Sequence, residues 1–173
     1  RLYNIMKQLN NTLKIMRKNN IVHRDLKLEN ILVKYQNGQE SDFIVKLSDY
    51  GISKKVTDTT MCKTHAGTPQ TMAPEILKGE DSQYDEKCDL WSIGIILYQL
   101  FFRDYPFKGN TEIALLRNIH NSRNNVINSK RSTGDKELDD LIINLLKEEP
   151  NERITWEKYF NHAFFKDKNI SEI

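Results

Sequence analysis

The sequence predicts a mainly α-helical fold that carries one small β-hairpin. Three observations indicate this fold class. Apolar residues recur at helical spacing over residues 2–18, a mostly apolar stretch covers residues 86–102, and the pair Asn37-Gly38 separates two short β-type runs, 31–33 and 43–47. At 173 residues, the chain has the length of one domain or of a piece of a larger one.

Helices account for most of the sequence after residue 85. Residues 86–102 are apolar on nearly all sides, which predicts a buried central helix. Thr111 and Thr155 each precede a segment with helical periodicity, so both are candidate N-caps. The five predicted helices cover residues 2–18, 86–102, 111–120, 136–147 and 155–163.

The hairpin and a long irregular segment separate the first helix from the later ones. A polar loop at residues 23–30 leads into the hairpin, in which residues 34–42 form a turn-rich excursion and residues 43–47 form the return strand. From Ser48 to Pro74 the sequence is rich in Thr, Gly and Lys and has no periodicity. Long segments of this kind are usually functional or disordered.

The composition argues against several classes of protein. A net charge of +2, with 29% charged residues, does not indicate binding to nucleic acid or to an acidic membrane. Cys62 and Cys88 form neither a disulfide framework nor a metal-ligand pair. The longest apolar run, residues 93–102, is about half the length that spans a bilayer, and the chain opens without the apolar segment of a signal peptide. We therefore expect a cytoplasmic protein with no nucleic-acid partner and no membrane span.

The polar loop "HRDLKLEN" carries the side chains that phosphoryl transfer requires. That reaction needs a carboxylate to orient a hydroxyl, a cation near the transferred group and oxygen ligands for Mg²⁺. Asp25, Lys27 and Asn30 supply these groups, and Asp49 adds a carboxylate at the end of the return strand. Alternatively, residues 23–30 are a solvated charged loop and Asp49 is a turn residue before glycine.

Four motifs together resemble the carboxyl-terminal lobe of eukaryotic protein kinases. They are "HRDLKLEN" (23–30), "DYG" (49–51), "GTPQTMAPE" (67–75) and "DLWSIGIILYQL" (89–100). The resemblance implies that residues 1–173 form this lobe without its amino-terminal partner. It further implies a catalytic loop at 23–30, a metal-binding motif at 49–51, an activation segment at 52–75 and a helical subdomain at 86–165.

The same resemblance implies roles for the residues of the reaction centre. Asp25 corresponds to the catalytic base, and Lys27 to the residue that neutralises the γ-phosphate of ATP. Asn30 and Asp49 correspond to the Mg²⁺ ligands. Thr68 is expected to bridge Asp25 and Lys27, and the form of these motifs resembles serine/threonine kinases rather than tyrosine kinases.

Other positions correspond to regulatory and structural residues of the family. Arg24 resembles the basic anchor for a phosphate placed on Thr64 by an upstream kinase, with Thr57, Thr59 and Thr60 as alternatives and an unmodified threonine as the simplest interpretation. His23 and Tyr50 resemble members of a packed column between the two lobes, where Tyr50 replaces the usual phenylalanine. The remaining correspondences are an ion pair between Glu75 and Arg153, and Asp89 as acceptor of backbone N–H groups from residues 23–30.

The family pattern also includes ATP-binding elements that these 173 residues do not contain. No glycine-rich phosphate cover and no strand lysine for the α- and β-phosphates is found in the 173 residues, so we expect the chain alone to be inactive. The implied function is transfer of the γ-phosphoryl group of ATP to a protein Ser or Thr hydroxyl with Mg²⁺. The alternatives are a pseudokinase or a scaffold that docks substrates. A weaker resemblance points to Unc-51-like autophagy kinases or to calcium/calmodulin-type kinases.

Overall fold

A computed structural model of the chain describes residues 1–49, 54–55, 69–79, 86–122, 125–128 and 130–166. The described part is mainly helical, with two small antiparallel sheets. Its helices are α1 (Leu2–Lys18), α2 (Pro74–Leu77), α3 (Lys87–Phe102), α4 (Glu112–Ser122), α5 (Lys136–Leu145) and α6 (Trp156–Phe160), and its strands are β1 (Ile21–Val22), β2 (Ile31–Gln36), β3 (Gln39–Leu47) and β4 (Lys54–Lys55). Short 3₁₀ helices cover Leu28–Asn30, Pro69–Thr71 and Ala163–Phe165.

Helix α3 lies at the centre of the core, as its apolar composition predicts. Every residue from Cys88 to Tyr98 is buried, and the Trp91 ring stacks on Phe107 with ring centroids 5.5 Å apart. Helix α5 packs against α3 through Leu145 and the adjacent Leu146. Helices α1, α3, α4 and α5 begin and end within two residues of their predicted bounds, and both threonine N-caps are confirmed because their hydroxyls accept backbone N–H groups. No helix of the described residues combines the length and the apolar character that crossing a bilayer requires.

Gly94 gives α5 room to approach α3. A Cβ atom at this position would lie 2.7 Å from Leu146 Cδ2 and 2.9 Å from Leu145 Cβ. We expect Gly94→Ala to lower the free energy of unfolding by about 1–2 kcal/mol, because overpacking costs more than the roughly 1 kcal/mol that alanine gains in a helix. Urea denaturation measures this loss. Adding Leu146→Ala to Gly94→Ala should remove the steric overlap with Leu146 and so restore part of the lost stability. A Gly94→Ala variant as stable as the parent, or a double variant that loses the sum of both effects, would contradict it.

The hairpin is tighter and longer than the sequence predicted. The turn expected at Asn37 and Gly38 is confirmed, but the excursion expected over residues 34–42 is shorter: β2 and β3 pair in register from Ile31–Leu47 to Tyr35–Phe43, the register then shifts between Tyr35 and Gln36, and Gln36 pairs with Gln39. Both turn residues have positive φ, 51° and 67°, which suits the right-handed twist of a two-residue hairpin. The polar residues of this region belong to an exposed strand, so their low hydrophobicity concealed the pairing.

Two further features differ from the sequence prediction. The segment after Ser48 is not entirely irregular, because Lys54 and Lys55 pair with Val22 and Ile21 to join β4 to β1. The last helix is also shorter than residues 155–163. It stops at Phe160, and a separate 3₁₀ helix follows, in which the His162 ring accepts the backbone N–H of Phe164.

Helix α1 attaches the hairpin through one amide side chain. Gln8 Nε2 donates to the Phe43 carbonyl at 2.9 Å, and Gln8 Oε1 accepts from the Val45 N–H at 2.9 Å. These contacts satisfy the outer edge of β3 in the way that another strand would. Since the polar loop follows β1 and Asp49 follows β3, this attachment fixes the two segments that carry the candidate site relative to α1.

Candidate active site

Asp25 has one carboxylate oxygen held in place and one oxygen that finds no partner among the described residues. Oδ2 lies 2.8 Å from Lys27 Nζ and accepts Asn30 Nδ2 at 3.3 Å. The Asn30 amide nitrogen also donates to the Asp25 carbonyl at 2.9 Å, which closes the loop on itself. Oδ1 is buried and has no hydrogen-bond partner among the described residues. The carboxylate is therefore fixed in orientation and keeps one acceptor for a hydroxyl group.

Lys27 carries the cation of the site. The hydrogen bond that its ammonium donates to Asp25 raises the pKa of Lys27, burial opposes the shift, and the charges of Asp25, Glu29 and Asp49 add to it. Because the folded-state pKa is raised, the contact stabilises the fold below the ordinary lysine pKa, and this contribution is lost as the pH rises through the raised value. The ammonium therefore stays charged throughout the neutral range.

The raised pKa of Lys27 can be tested directly. We expect Asp25→Asn to lower this pKa, because the substitution removes the hydrogen-bonded carboxylate that is the largest cause of the shift. An NMR titration that follows the Lys27 side chain from pH 8 to about pH 12 measures it. Glu29→Gln is the matched control and should lower the pKa less. Equal effects of the two substitutions would contradict the dominant role of Asp25.

Asn30 and Asp49 are brought together by Ser48. The Ser48 N–H donates to the Asn30 carbonyl at 2.9 Å, and its hydroxyl donates to the same oxygen at 3.2 Å. Asp49 follows at once with φ of 61°, a left-handed conformation that bends the chain at the end of β3. The charge of Asp49 also contributes to the pKa of Lys27, so it acts on the same site as Asp25.

The donor set of this pair fits Mg²⁺. Asn30 Nδ2 donates to Asp25, which leaves the amide oxygen as the atom for a cation, and Asp49 offers a carboxylate. One or two such protein oxygens, with substrate phosphates and water, are what Mg²⁺ usually takes in proteins. Among the described residues, no cluster of three or more His, Cys, Asp and Glu side chains indicates another metal site.

His23 links the polar loop to the end of β3. The ring is fully buried. Its Nδ1 accepts the Asp25 N–H at 3.3 Å, and Nε2 lies 3.3 Å from the Ser48 carbonyl. In this arrangement Nδ1 is the acceptor and Nε2 is the nitrogen that donates to the Ser48 carbonyl. His23, which the family pattern assigns to a packed column, therefore joins Asp25 to the segment that leads into Asp49.

Asp89 anchors the polar loop to α3. Its two oxygens accept the backbone N–H groups of His23 at 2.8 Å and Arg24 at 2.9 Å, as the sequence led us to expect. Burial raises the pKa of Asp89, although the two N–H groups act in the opposite direction. Arg24 has φ of 71°, a strained conformation for a residue with a side chain. The paired N–H bonds stabilise this conformation immediately before Asp25.

The ion pair expected between Glu75 and Arg153 is present and buried. Arg153 Nη1 and Nη2 donate to the two carboxylate oxygens at 2.8 and 2.9 Å, in a bidentate arrangement. The side chains are 0% and 1% exposed for Arg153 and Glu75. The same guanidinium donates to the carbonyls of Lys87, Lys147 and Glu148, so it connects α2, α3 and the end of α5.

Comparison with known proteins decides the family. The model of the protein kinase domain matches residues 1–165. The chain belongs to the protein kinase family. The family membership predicted from the four motifs is therefore confirmed, and the mainly helical architecture agrees with it.

Two relatives that match the chain are serine/threonine kinases with much longer sequences. Serine/threonine-protein kinase ATG1c of Arabidopsis thaliana is 41% identical over 94% of this chain, and the match covers 22% of that relative. Serine/threonine-protein kinase unc-51 of Caenorhabditis elegans is 38% identical over 91% of the chain and 18% of the relative. The chain thus spans about a fifth of the length of these relatives. Of the weaker resemblances, the one to Unc-51-like kinases is confirmed.

Several positions singled out from the family pattern lie outside the described residues. They are Tyr50, Thr64 and Thr68, together with the alternatives Thr57, Thr59 and Thr60. Their expected roles stay predictions.

Sequence reasoning missed several polar side chains that hold separate segments of this kinase domain together, among them Ser48, Gln8 and Ser92. Gln8 holds the edge of β3, and the buried Ser92 hydroxyl donates to the Thr71 carbonyl at 2.9 Å. A signal for both is present in the sequence. Ser92 is a small polar residue within an otherwise apolar run, and Gln8 directly precedes Leu9 on the apolar face of α1. A polar residue at such a position needs a hydrogen-bond partner, although the sequence does not identify which one.

Proposed function

We propose that the protein containing this chain is a serine/threonine protein kinase that transfers the γ-phosphoryl group of ATP to a protein Ser or Thr hydroxyl. The observation that carries the proposal is the Asp25 carboxylate. One of its oxygens is fixed by Lys27 and Asn30, and the other is buried and has no partner among the described residues. A substrate hydroxyl supplies the missing donor, and by donating its O–H to Asp25 it leaves an oxygen lone pair that can face the phosphorus.

In the reaction, a bond forms between the hydroxyl oxygen and the γ-phosphorus, and the bond from that phosphorus to the β,γ-bridging oxygen breaks. Asp25 receives the hydroxyl proton, and ADP leaves with the bridging oxygen. The Lys27 ammonium, which stays charged at neutral pH, compensates the negative charge of the transferred group. Thr68 is proposed to bridge Asp25 and Lys27.

Asn30 and Asp49 would hold Mg²⁺ in this proposal. When bound, the ion would supply positive charge to the phosphate oxygens of ATP and orient them. Lys27 and Asn30 would also contact the nucleotide. The chain's own contribution is the fixed placement of these groups through Ser48, His23 and Asp89, so that little reorganisation is needed during transfer.

We further propose that the chain acts together with an amino-terminal nucleotide-binding lobe. The 173 residues contain no glycine-rich phosphate cover and no matching strand lysine, which the family pattern uses to hold ATP. The test measures transfer of labelled phosphate from ATP to Ser and Thr of a protein substrate, by this chain alone and by the longer protein that contains it. Transfer by the longer protein only supports both proposals, and transfer by the isolated chain contradicts the second.

The same experiment separates the main alternative. A pseudokinase or a scaffold that docks substrates would bind the protein substrate but transfer no phosphate, even in its full length. The complete set of Asp25, Lys27, Asn30 and Asp49 favours the kinase. An upstream kinase acting on Thr64, with Arg24 as the anchor of the phosphate, and a cytoplasmic location remain predictions.

A further inference from the structure

Helix α3 holds two separate segments of the chain through polar side chains one turn apart. Asp89 accepts the N–H groups of His23 and Arg24, next to Asp25. Three residues later, Ser92 donates its hydroxyl to the Thr71 carbonyl at 2.9 Å. Side chains three residues apart lie on the same helix face, with Cβ atoms about 5–6 Å from each other. The polar loop and the turn at residues 69–72 are therefore neighbours on one face of α3.

The Ser92 hydroxyl is placed to fix that turn. Ser92 and Thr71 are both buried, with 7% and 3% of their surfaces exposed, so the hydrogen bond is shielded from water. Its other acceptor within reach is the Cys88 carbonyl at 3.3 Å, which is the longer contact. The turn is closed on itself by the bond from Met72 N–H to the Pro69 carbonyl at 3.2 Å.

The turn presents accessible surface on the same side of α3 as the polar loop. Pro69 and Gln70 are half-buried, whereas the residues from Thr71 to Leu77 are buried. A protein substrate whose hydroxyl reaches Asp25 must place its neighbouring residues on whatever backbone adjoins the polar loop. The turn at 69–72 is such a backbone, because α3 holds both segments on the same face.

We propose that Ser92 is a positioning residue for the protein substrate. Through the Thr71 carbonyl it sets the place of the turn at 69–72 relative to Asp25, and so the affinity for the residues that flank the acceptor hydroxyl. The inference rests on the proposed kinase function. The affinity for ATP does not depend on Ser92 in this arrangement. The residues assigned to the nucleotide, Lys27 and Asn30, are held by other contacts.

The test compares steady-state kinetics of the full-length protein and its Ser92→Ala variant. We expect the KM for a peptide substrate to rise about three- to tenfold, the range that corresponds to loss of one net hydrogen bond. The KM for ATP and kcat should remain within about twofold of the parent. Ser92→Thr, which keeps the hydroxyl, should restore the peptide KM. Ser132→Ala is the matched control, because it removes another hydrogen-bonded hydroxyl, the donor to Asp139 in α5.

Hydrogen exchange provides a readout that does not depend on activity. In Ser92→Ala the Met72 N–H should exchange faster, while the Arg24 N–H, which Asp89 holds, should exchange as in the parent. Should Ser92→Ala not fold, Ser92→Cys has a weaker donor of similar shape; its peptide KM is expected to exceed that of the parent while its KM for ATP stays unchanged, and an unchanged peptide KM would overturn the role of Ser92.

The outcomes distinguish the inference from the function on which it rests. An active parent with an unchanged peptide KM in the variant overturns the role of Ser92 alone. A second result also overturns the role of Ser92: faster exchange at both Met72 and Arg24, together with equal increases in KM for the peptide and for ATP. That result indicates general loosening of the domain. An inactive full-length parent overturns the proposed function, and the inference with it.

Discussion

Replacing Asp25 by Asn in the full-length protein is expected to lower kcat for peptide phosphorylation by about 10³-fold, within the range for removal of a general base. The amide keeps the shape of the side chain, but it cannot receive the hydroxyl proton. It also loses the charge that holds Lys27 Nζ at 2.8 Å. Binding of ATP and of the peptide should change much less than kcat, because the carboxylate acts on the reacting hydroxyl. Initial-rate kinetics with both substrates measures the three constants.

Asp140→Asn is the matched control for this substitution. It removes one carboxylate charge from the surface of α5, where Asp140 contacts His162, and it leaves the polar loop intact. We expect the control to retain the activity of the parent. If Asp25→Asn retained more than about a tenth of the parental kcat, the general-base assignment would be lost, since even modest general-base catalysis exceeds that factor.

The sequence predicted the parts of this domain that depend on periodicity and on linear motifs. The buried α3 and the capped α4 followed from patterns within single segments, because burial of an apolar face decides such elements. The contacts of Asp89 with the polar loop, and of Glu75 with Arg153, followed from the family pattern and not from local physics.

The features that the sequence did not predict depend on contacts between distant segments. The left-handed backbone at Arg24 has no local signal, and that at Asp49 has only the modest preference of aspartate for positive φ, so each conformation needs support from elsewhere in the fold. The donors Gln8 and Ser92 act on backbone groups that lie far from them in the chain. Such pairs become visible once the packing of α1 and α3 is known.

The second large effect is expected at the buried ion pair. We expect Arg153→Met to lower the free energy of unfolding by about 3–5 kcal/mol, because it leaves the Glu75 carboxylate buried and without its cation. The loss should exceed that of Glu75→Gln. Arg153 also donates to the carbonyls of Lys87, Lys147 and Glu148, and these contacts disappear with the guanidinium but survive the change at Glu75. Urea denaturation of the parent and both variants measures the difference.

A double variant identifies which part of the loss comes from the unpaired charge. Replacing both partners by apolar residues, Glu75→Met with Arg153→Met, removes the buried carboxylate, and in other proteins such exchanges are often neutral. Here we expect the double variant to regain only part of the free energy of unfolding that Arg153→Met loses. The carbonyls that accept hydrogen bonds from Arg153 remain buried in the double variant and lose their donor. Lys108→Met, which breaks an exposed pair with Asp104, is the control and should leave stability unchanged within error. Full recovery in the double variant would show that the carbonyl contacts contribute little, and that Arg153 stabilises the domain solely as the partner of Glu75.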